Sequence, residues 1–248
     1  MVKKLFLFML LLLSVPIITW LIGYQWAGEQ IPIIDTPLLF ISDIIGIPNT
    51  FYICVIFMLW IMWLARKKYS WLLIGGICAF SVISVHYLKE TTKNIFMEPR
   101  PYITYLLQED AETFYQIADE EERQQIINSF IREGEYKPFD EHRARNLGFS
   151  FPSGHTIFID SWIFIFIGFL YGKQHGHPRR SSIIFALSFL YISAILMSIS
   201  RIRLGMHYPI DVAASTLISY LFHLIIFVAI VPFLSKLKIF QYKWFNIA

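Results

Sequence analysis

Apolar runs long enough to cross a hydrocarbon core recur along the chain and decide what it can fold into. In a bilayer every backbone polar group must be satisfied internally, so a spanning helix needs roughly 20 consecutive apolar residues. Six such segments can be read: Leu5–Tyr24, Thr50–Leu64, Trp71–Leu88, Thr156–Tyr171, Ser182–Ile199 and Val212–Leu234. Hydrophobic residues make up 56% of the 248 and charged residues only 16%. That excludes a disordered chain and an ordinary soluble domain, in which about a quarter of residues are charged. The chain reads as an all-α polytopic membrane protein, one domain over residues 1–248 with six transmembrane helices. Its first run follows Lys3 and Lys4 as a signal peptide would, but it exceeds a typical signal core. Ala27-Gly28-Glu29 is also a poor cleavage site, so an uncleaved anchor is expected.

Charge orients the spans. With both termini and the 65–70 and 172–181 loops on one side, that side holds eleven cations. They are Lys3, Lys4, Arg66, Lys67, Lys68, Lys173, Arg179, Arg180, Lys236, Lys238 and Lys243, and no Asp or Glu accompanies them. The positive-inside rule makes this side cytoplasmic, and an even number of spans returns both termini to it. The expected location is the inner (cytoplasmic) membrane. A net charge of +3 gives no reason to expect a nucleic-acid partner, and Cys54 and Cys78 read as packing residues inside apolar runs.

The opposite, periplasmic side carries a loop from Gln25 to Asn49, a hydrophilic insertion over 89–151 and a link from Ser200 to Asp211. The insertion, between the third and fourth spans, is expected to be partly helical. Asp119 and Glu122 are spaced as a capping box, Ile126, Ile127, Phe130 and Ile131 follow at helical spacing, and Gly134 is a plausible stop. The acidic run over 119–122 reads as a solvated helix face.

Three segments on this side concentrate residues that membrane packing does not require. In the first, Lys93 and Arg100 stand seven positions apart just beyond a span, either as an anion clamp or as snorkelling cations. In the second, Pro152, Ser153 and Gly154 place a helix N-terminus near His155. Free backbone N–H groups and the positive dipole end there suit an anion, although a capped helix with an interfacial histidine uses the same residues. In the third, Arg201 precedes His207, and Asp211 follows it by four positions, about one helical turn. A carboxylate at that spacing can fix an imidazole's tautomer, as a nucleophilic or basic histidine needs. Two histidines, a carboxylate, three cations, a hydroxyl and a helix N-terminus suit phosphoryl transfer, in which positioning and charge stabilisation dominate. No carboxylate cluster suggests a two-metal hydrolase, so neither metal nor cofactor is expected. The residues alone leave open which histidine attacks.

Read as Lys-x6-Arg-Pro, Pro-Ser-Gly-His and Ser-Arg-x5-His-x3-Asp, the segments resemble the three motifs of the type 2 phosphatidic acid phosphatase superfamily, in order and without departure. That superfamily includes membrane lipid phosphatases and soluble vanadium haloperoxidases. The layout with a long insertion between the first two motifs is most similar to the bacterial phosphatidylglycerophosphatases within it. The resemblance implies His207 as nucleophile, Asp211 as its orienting carboxylate and His155 as general acid. It implies Lys93, Arg100, Ser153, the Gly154 N–H and Arg201 as ligands of the phosphate oxygens. The implied partners are membrane lipids, and the implied substrates are lipid phosphates such as phosphatidylglycerophosphate, undecaprenyl pyrophosphate, phosphatidic acid, lysophosphatidic acid and diacylglycerol pyrophosphate. A haloperoxidase holding vanadate and a transporter are the competing readings. Asp160, inside the fourth span, is expected to make a structural polar contact, and His86 and His223 to bond between helices. Arg203 has no defined role.

Overall fold

The computed structural model describes residues 1–46, 49–171 and 180–241, and among these every regular element is helical. In chain order the helices are α1 (Val2–Leu21), α2 (Pro32–Ile44), α3 (Asn49–Ala65), α4 (Trp71–Phe96), α5 (Pro101–Leu107) and α6 (Ala111–Gln116). There follow α7 (Glu120–Asn128), α8 (Lys137–Ala144), α9 (Gly154–Leu170), α10 (Arg180–Arg203) and α11 (Pro209–Ile225), which a widened turn over Ile226–Ile230 carries on to Leu234. Lys173, Arg179 and Lys243 of the expected cytoplasmic charge lie outside the described residues.

Each apolar run is a helix, but the ends moved. α4 continues eight residues past Leu88, so Lys89 and Lys93 ride on the helix instead of trailing from it. Its end is set by Met97, which adopts a left-handed conformation (φ 47°) and returns its N–H to Lys93 O. α10 likewise runs through Arg201 and Arg203, residues expected in a link. Four helical stretches are long and apolar enough to cross a membrane: α1, the stretch opened by α4, α10 and the α11 continuation. α2 and α3 meet that test only as a pair, and α9 is a shorter apolar helix. At about 1.5 Å per residue, the 17 residues of α3 and of α9 fall a little short of a hydrocarbon core of about 30 Å.

α9 has no need of a long lipid face, because it runs through the middle of the bundle. Nearly every side chain from Thr156 to Leu170 is buried, against α4, α10 and α11. Outside it, α1 and α10 turn Phe6, Leu10, Phe185 and Phe189 outward, as lipid-facing helices do. Between α9 and α11 the packing includes polar contacts: Ser153 N–H donates to Ser215 Oγ (2.8 Å), Thr216 Oγ1 to Asp160 (2.7 Å), and Ser161 bonds Ser219 (2.9 Å). Asp160 thus makes the structural contact expected of it. His223 bonds Ser81 of α4 at 2.7 Å, also as expected, whereas His86 is exposed and, among the described residues, makes no side-chain bond between helices. Such bonds add about 0.6 kcal/mol each in a membrane, and they fix register as well as stability.

Gly168 of α9 packs directly beneath the Phe227 ring, where a Cβ would meet three ring carbons. Gly168→Ala is therefore expected to destabilise the bundle by about 1–3 kcal/mol, the usual cost of overpacking. A lowered unfolding temperature in detergent checks this, and an unchanged one would show that the ring has room to move.

The segment expected to be an open loop between Gln25 and Asn49 contains α2. Pro32 occupies its first turn, where a missing N–H costs nothing. Asp35, fully buried, accepts from Ile31 N–H (2.7 Å) and pairs with Arg203 Nε (2.9 Å). Arg203 thereby gains a role: it docks α2 onto α10. The insertion is helical in part, as expected, but Asp119 caps α7 through Glu121 N–H (3.0 Å). α7 stops at Asn128, before Phe130 and Ile131, and Gly134 opens a separate short turn. A second core of Tyr102, Ile103, Phe114, Ile127, Phe139 and Met206 holds α5–α8 together.

Candidate functional site

The end of α10 prepares the site. Gly205, in the left-handed region at φ 73°, reverses the chain, and Met206 and His207 both return their N–H groups to Arg201 O (3.0 Å each). Pro209 then opens α11, and Asp211 in its first turn accepts from Tyr208 N–H at 2.9 Å. One short reversal thus holds Arg201, His207 and Asp211 together.

His207 Nδ1 and Asp211 Oδ2 stand 3.6 Å apart, an ion-pair separation longer than a direct hydrogen bond. Ser150 Oγ fills the gap: it donates a short hydrogen bond to Asp211 Oδ2 and lies 3.4 Å from His207 Nδ1. Ser150 is itself fully buried and fixed by its N–H to Glu98 O (2.7 Å). With Nδ1 turned toward Ser150 and Asp211, Nε2 is the nitrogen left for chemistry. Burial first, and then the charges of Arg100, Arg201, Lys93 and His155, hold the His207 imidazole well below its usual 6.5, so it stays neutral.

His207, His155, Gly154, Lys93, Arg100 and Arg201 line one cavity of about 810 Å³. Arg100 is held by Nε donating to Gly148 O at 2.5 Å, yet its buried Nη1 has no partner among the described residues. Arg201, fully buried, donates from Nη1 to Ser42 Oγ, and its Nε is likewise unpartnered among the described residues. Buried guanidinium N–H groups are costly to leave unsatisfied, and an anion in the cavity is the natural acceptor. α9 begins at Gly154, so its N-terminus faces the same space. Apolar side chains share the lining, with Val82 and Val85 of α4 and Phe158 and Trp162 of α9.

Comparison with known proteins agrees with this geometry. The PAP2 superfamily matches residues 71–233, well over half the chain. The chain belongs to the PAP2 superfamily. Over 98% of its length it is 34% identical to a phosphatidylglycerophosphatase B of Haemophilus influenzae, covering all of that protein. It is 28% identical to proteins of the same name from Escherichia coli strain K12 and Shigella flexneri, covering 85% of this chain and 82% of each of theirs. This PAP2 protein is a phosphatase.

Two of the residues singled out from the PAP2 motifs sit behind the cavity wall. Asp211 backs His207, and Ser153 is buried, its Oγ accepting from Thr156 Oγ1 at 2.9 Å. What remains of Ser153 for a ligand is its place at the α9 N-terminus. Other residues of the cavity escaped sequence reasoning. His86 and Lys89 were legible, since 86, 89 and 93 follow the i, i+3, i+7 spacing of one helix face, and all three line the cavity. The Lys89 stem lies over Gly154, so even a methyl there would displace it. Ser42, Asp43, His142, Arg145 and Asn146 had no such signal, because α2 and α8 meet the site only through the tertiary fold. His142 Nδ1 bonds Asp43 Oδ1 at 2.8 Å, and its Nε2 lies 3.5 Å from both Ser42 Oγ and Arg201 Nη1. This second histidine–carboxylate pair holds the far side of Arg201.

Proposed function

We propose that this phosphatase removes the terminal phosphate of membrane lipid phosphates through a phosphohistidine. The observation that carries this is the cavity, whose lining joins His155, His207 and the cations Lys93, Arg100 and Arg201 to apolar side chains of α4 and α9. His207 Nε2 attacks phosphorus as the bond to the leaving oxygen breaks, and His155 gives that oxygen a proton. The arriving phosphate charge favours the protonated form of His155. Lys93, Arg100, Arg201 and the α9 N-terminus, with Ser153 and the Gly154 N–H, stabilise the charge on the equatorial oxygens. Neutral His155 then takes a proton from water as its oxygen attacks the phosphohistidine, releasing phosphate and restoring both imidazoles. Asp211, through Ser150, holds the His207 Nδ1 proton and stabilises the charge that attack creates.

Phosphatidylglycerophosphate, phosphatidic acid, lysophosphatidic acid, diacylglycerol pyrophosphate and undecaprenyl pyrophosphate share a terminal phosphate on an apolar anchor. Purified protein in detergent is expected to release phosphate from several of them, to act poorly on glucose 6-phosphate, and to remain active in EDTA. Equal turnover of glucose 6-phosphate, or loss of activity in EDTA, overturns the proposal.

The same proposal places the protein in the inner membrane with six spans, α3 and α9 joining the four longer helical stretches. The basic, acid-free side is cytoplasmic and the 89–151 insertion periplasmic, part of one catalytic domain. A reporter active only outside the cytoplasm is expected to give signal when fused at Gly134 and none after Ala248. The reverse pattern sinks the topology.

A further inference from the structure

Arg201 is fully buried, yet among the described residues no carboxylate pairs with it directly. Its side chain is tied from Nη1, to Ser42 Oγ and, at 3.5 Å, to His142 Nε2. These partners come from α2 and from α8 of the insertion, outside the three PAP2 motifs. A carboxylate stands behind them. His142 Nδ1 bonds Asp43 Oδ1 at 2.8 Å, and an ionised carboxylate only accepts, so Nδ1 carries the ring proton and Nε2 the lone pair. Burial holds this imidazole below its usual 6.5 in spite of the hydrogen bond to Asp43, and Arg201 adds to the fall, so Nε2 stays unprotonated. Ser42 Oγ, also 3.5 Å from Nε2, accepts from Arg201 and is free to turn its own proton to the imidazole. The donations then run one way, from Arg201 to Ser42 to His142 to Asp43, and each polarises the next.

A guanidinium on a flexible stem rotates away from an oxygen that gains its charge only in the transition state, unless something holds it. With Nη1 held on the α2 and α8 side, the buried Nε, which has no partner among the described residues, is left for an anion in the cavity that Arg201 lines. We infer that Ser42, His142 and Asp43 form a positioning relay that fixes the Arg201 guanidinium and balances its charge from a distance. The distance matters. A carboxylate paired directly with Arg201 competes with phosphate for the same N–H groups, whereas one placed behind an imidazole steadies the cation and leaves its donors open. This rests on the proposed role of Arg201 as a ligand of the phosphate oxygens, and the relay acts on the reaction through it.

The test compares one substitution in two backgrounds, in the full-length protein in detergent with phosphatidic acid as substrate. His142→Leu, which keeps bulk and loses both bonds, is expected to lower kcat about ten- to a hundredfold with little change in KM. Inhibition by orthovanadate, a mimic of the phosphoryl-transfer transition state, should weaken by a similar factor. His142→Gln, with a donor and an acceptor of its own, should recover part of both. Asp43→Asn, at the half-exposed end of the relay, keeps an acceptor and loses only the charge, so a fall of about three- to tenfold is expected even if His142→Leu does not fold. In an Arg201→Lys background His142→Leu should cost less than about threefold, because residues that act through one another are not additive. Binding of orthovanadate, read as the rise it causes in unfolding temperature, makes the same comparison where turnover is too low to measure. Equal losses in the two backgrounds overturn the relay, as do unchanged kcat and orthovanadate inhibition in His142→Leu or, where that variant does not fold, in Asp43→Asn. Both results leave Arg201 a phosphate ligand. An Arg201→Lys protein with undiminished kcat and orthovanadate binding removes Arg201 from the phosphate site, and the relay falls with it.

Discussion

His207→Ala is expected to abolish both turnover and the phosphoenzyme, a loss of about ten-thousandfold or more, since a whole covalent step disappears. In the proposed mechanism its imidazole, kept neutral by burial and by Arg100, Arg201 and Lys93, is the group that attacks phosphorus. Rapid quench with labelled lipid phosphate in the unmodified protein should trap an adduct labile to acid and stable to alkali, as a phosphoramidate is. His155→Ala should behave differently. Only proton donation is lost, so p-nitrophenyl phosphate, whose leaving group needs no proton, should suffer least. If His207→Ala still forms the adduct while His155→Ala does not, the two roles are reversed.

Asp211→Asn is expected to slow turnover by about three to four orders of magnitude with little change in KM, because the amide cannot stabilise the imidazolium formed on attack. Ser150→Ala tests how the carboxylate acts. Ser150 Oγ lies within reach of both partners, while His207 and Asp211 are 3.6 Å apart. Removing the hydroxyl should therefore cost about ten- to a hundredfold in kcat, less than losing the charge itself. Ser150→Thr, which keeps the hydroxyl, should recover part of it. A Ser150→Ala enzyme with unchanged kcat and pH profile would show that Asp211 acts on His207 directly.

Particular residues show where sequence reasoning succeeded and where it stopped. The helix N-terminus at Gly154 and the turn between Arg201 and Asp211 were legible because proline, glycine and short acid-to-histidine spacing are local signals. Local signals also misled. The 25–49 segment read as a loop between apolar runs, yet it holds α2: Pro32 sits harmlessly in its first turn, and Leu38 and Leu39 are buried despite the bond Pro37 forgoes. Leu88 ended the apolar run but not α4, because a helix continues as long as its backbone bonds do, whatever the polarity of its side chains.

The sequence by itself determined the apolar runs, the separation of acids from cations among the segments between them, and the three PAP2 motifs. These follow from composition and from spacing within one turn or one loop. Only the tertiary structure decided that Ser150 stands between His207 and Asp211, that Arg203 docks α2 through Asp35, and that Asp43 and His142 back Arg201. Each of these pairings joins residues distant in the sequence, from 57 positions for Ser150 and His207 to 168 for Asp35 and Arg203. They meet because folding takes most of these polar groups out of water, so each finds its partner across the fold.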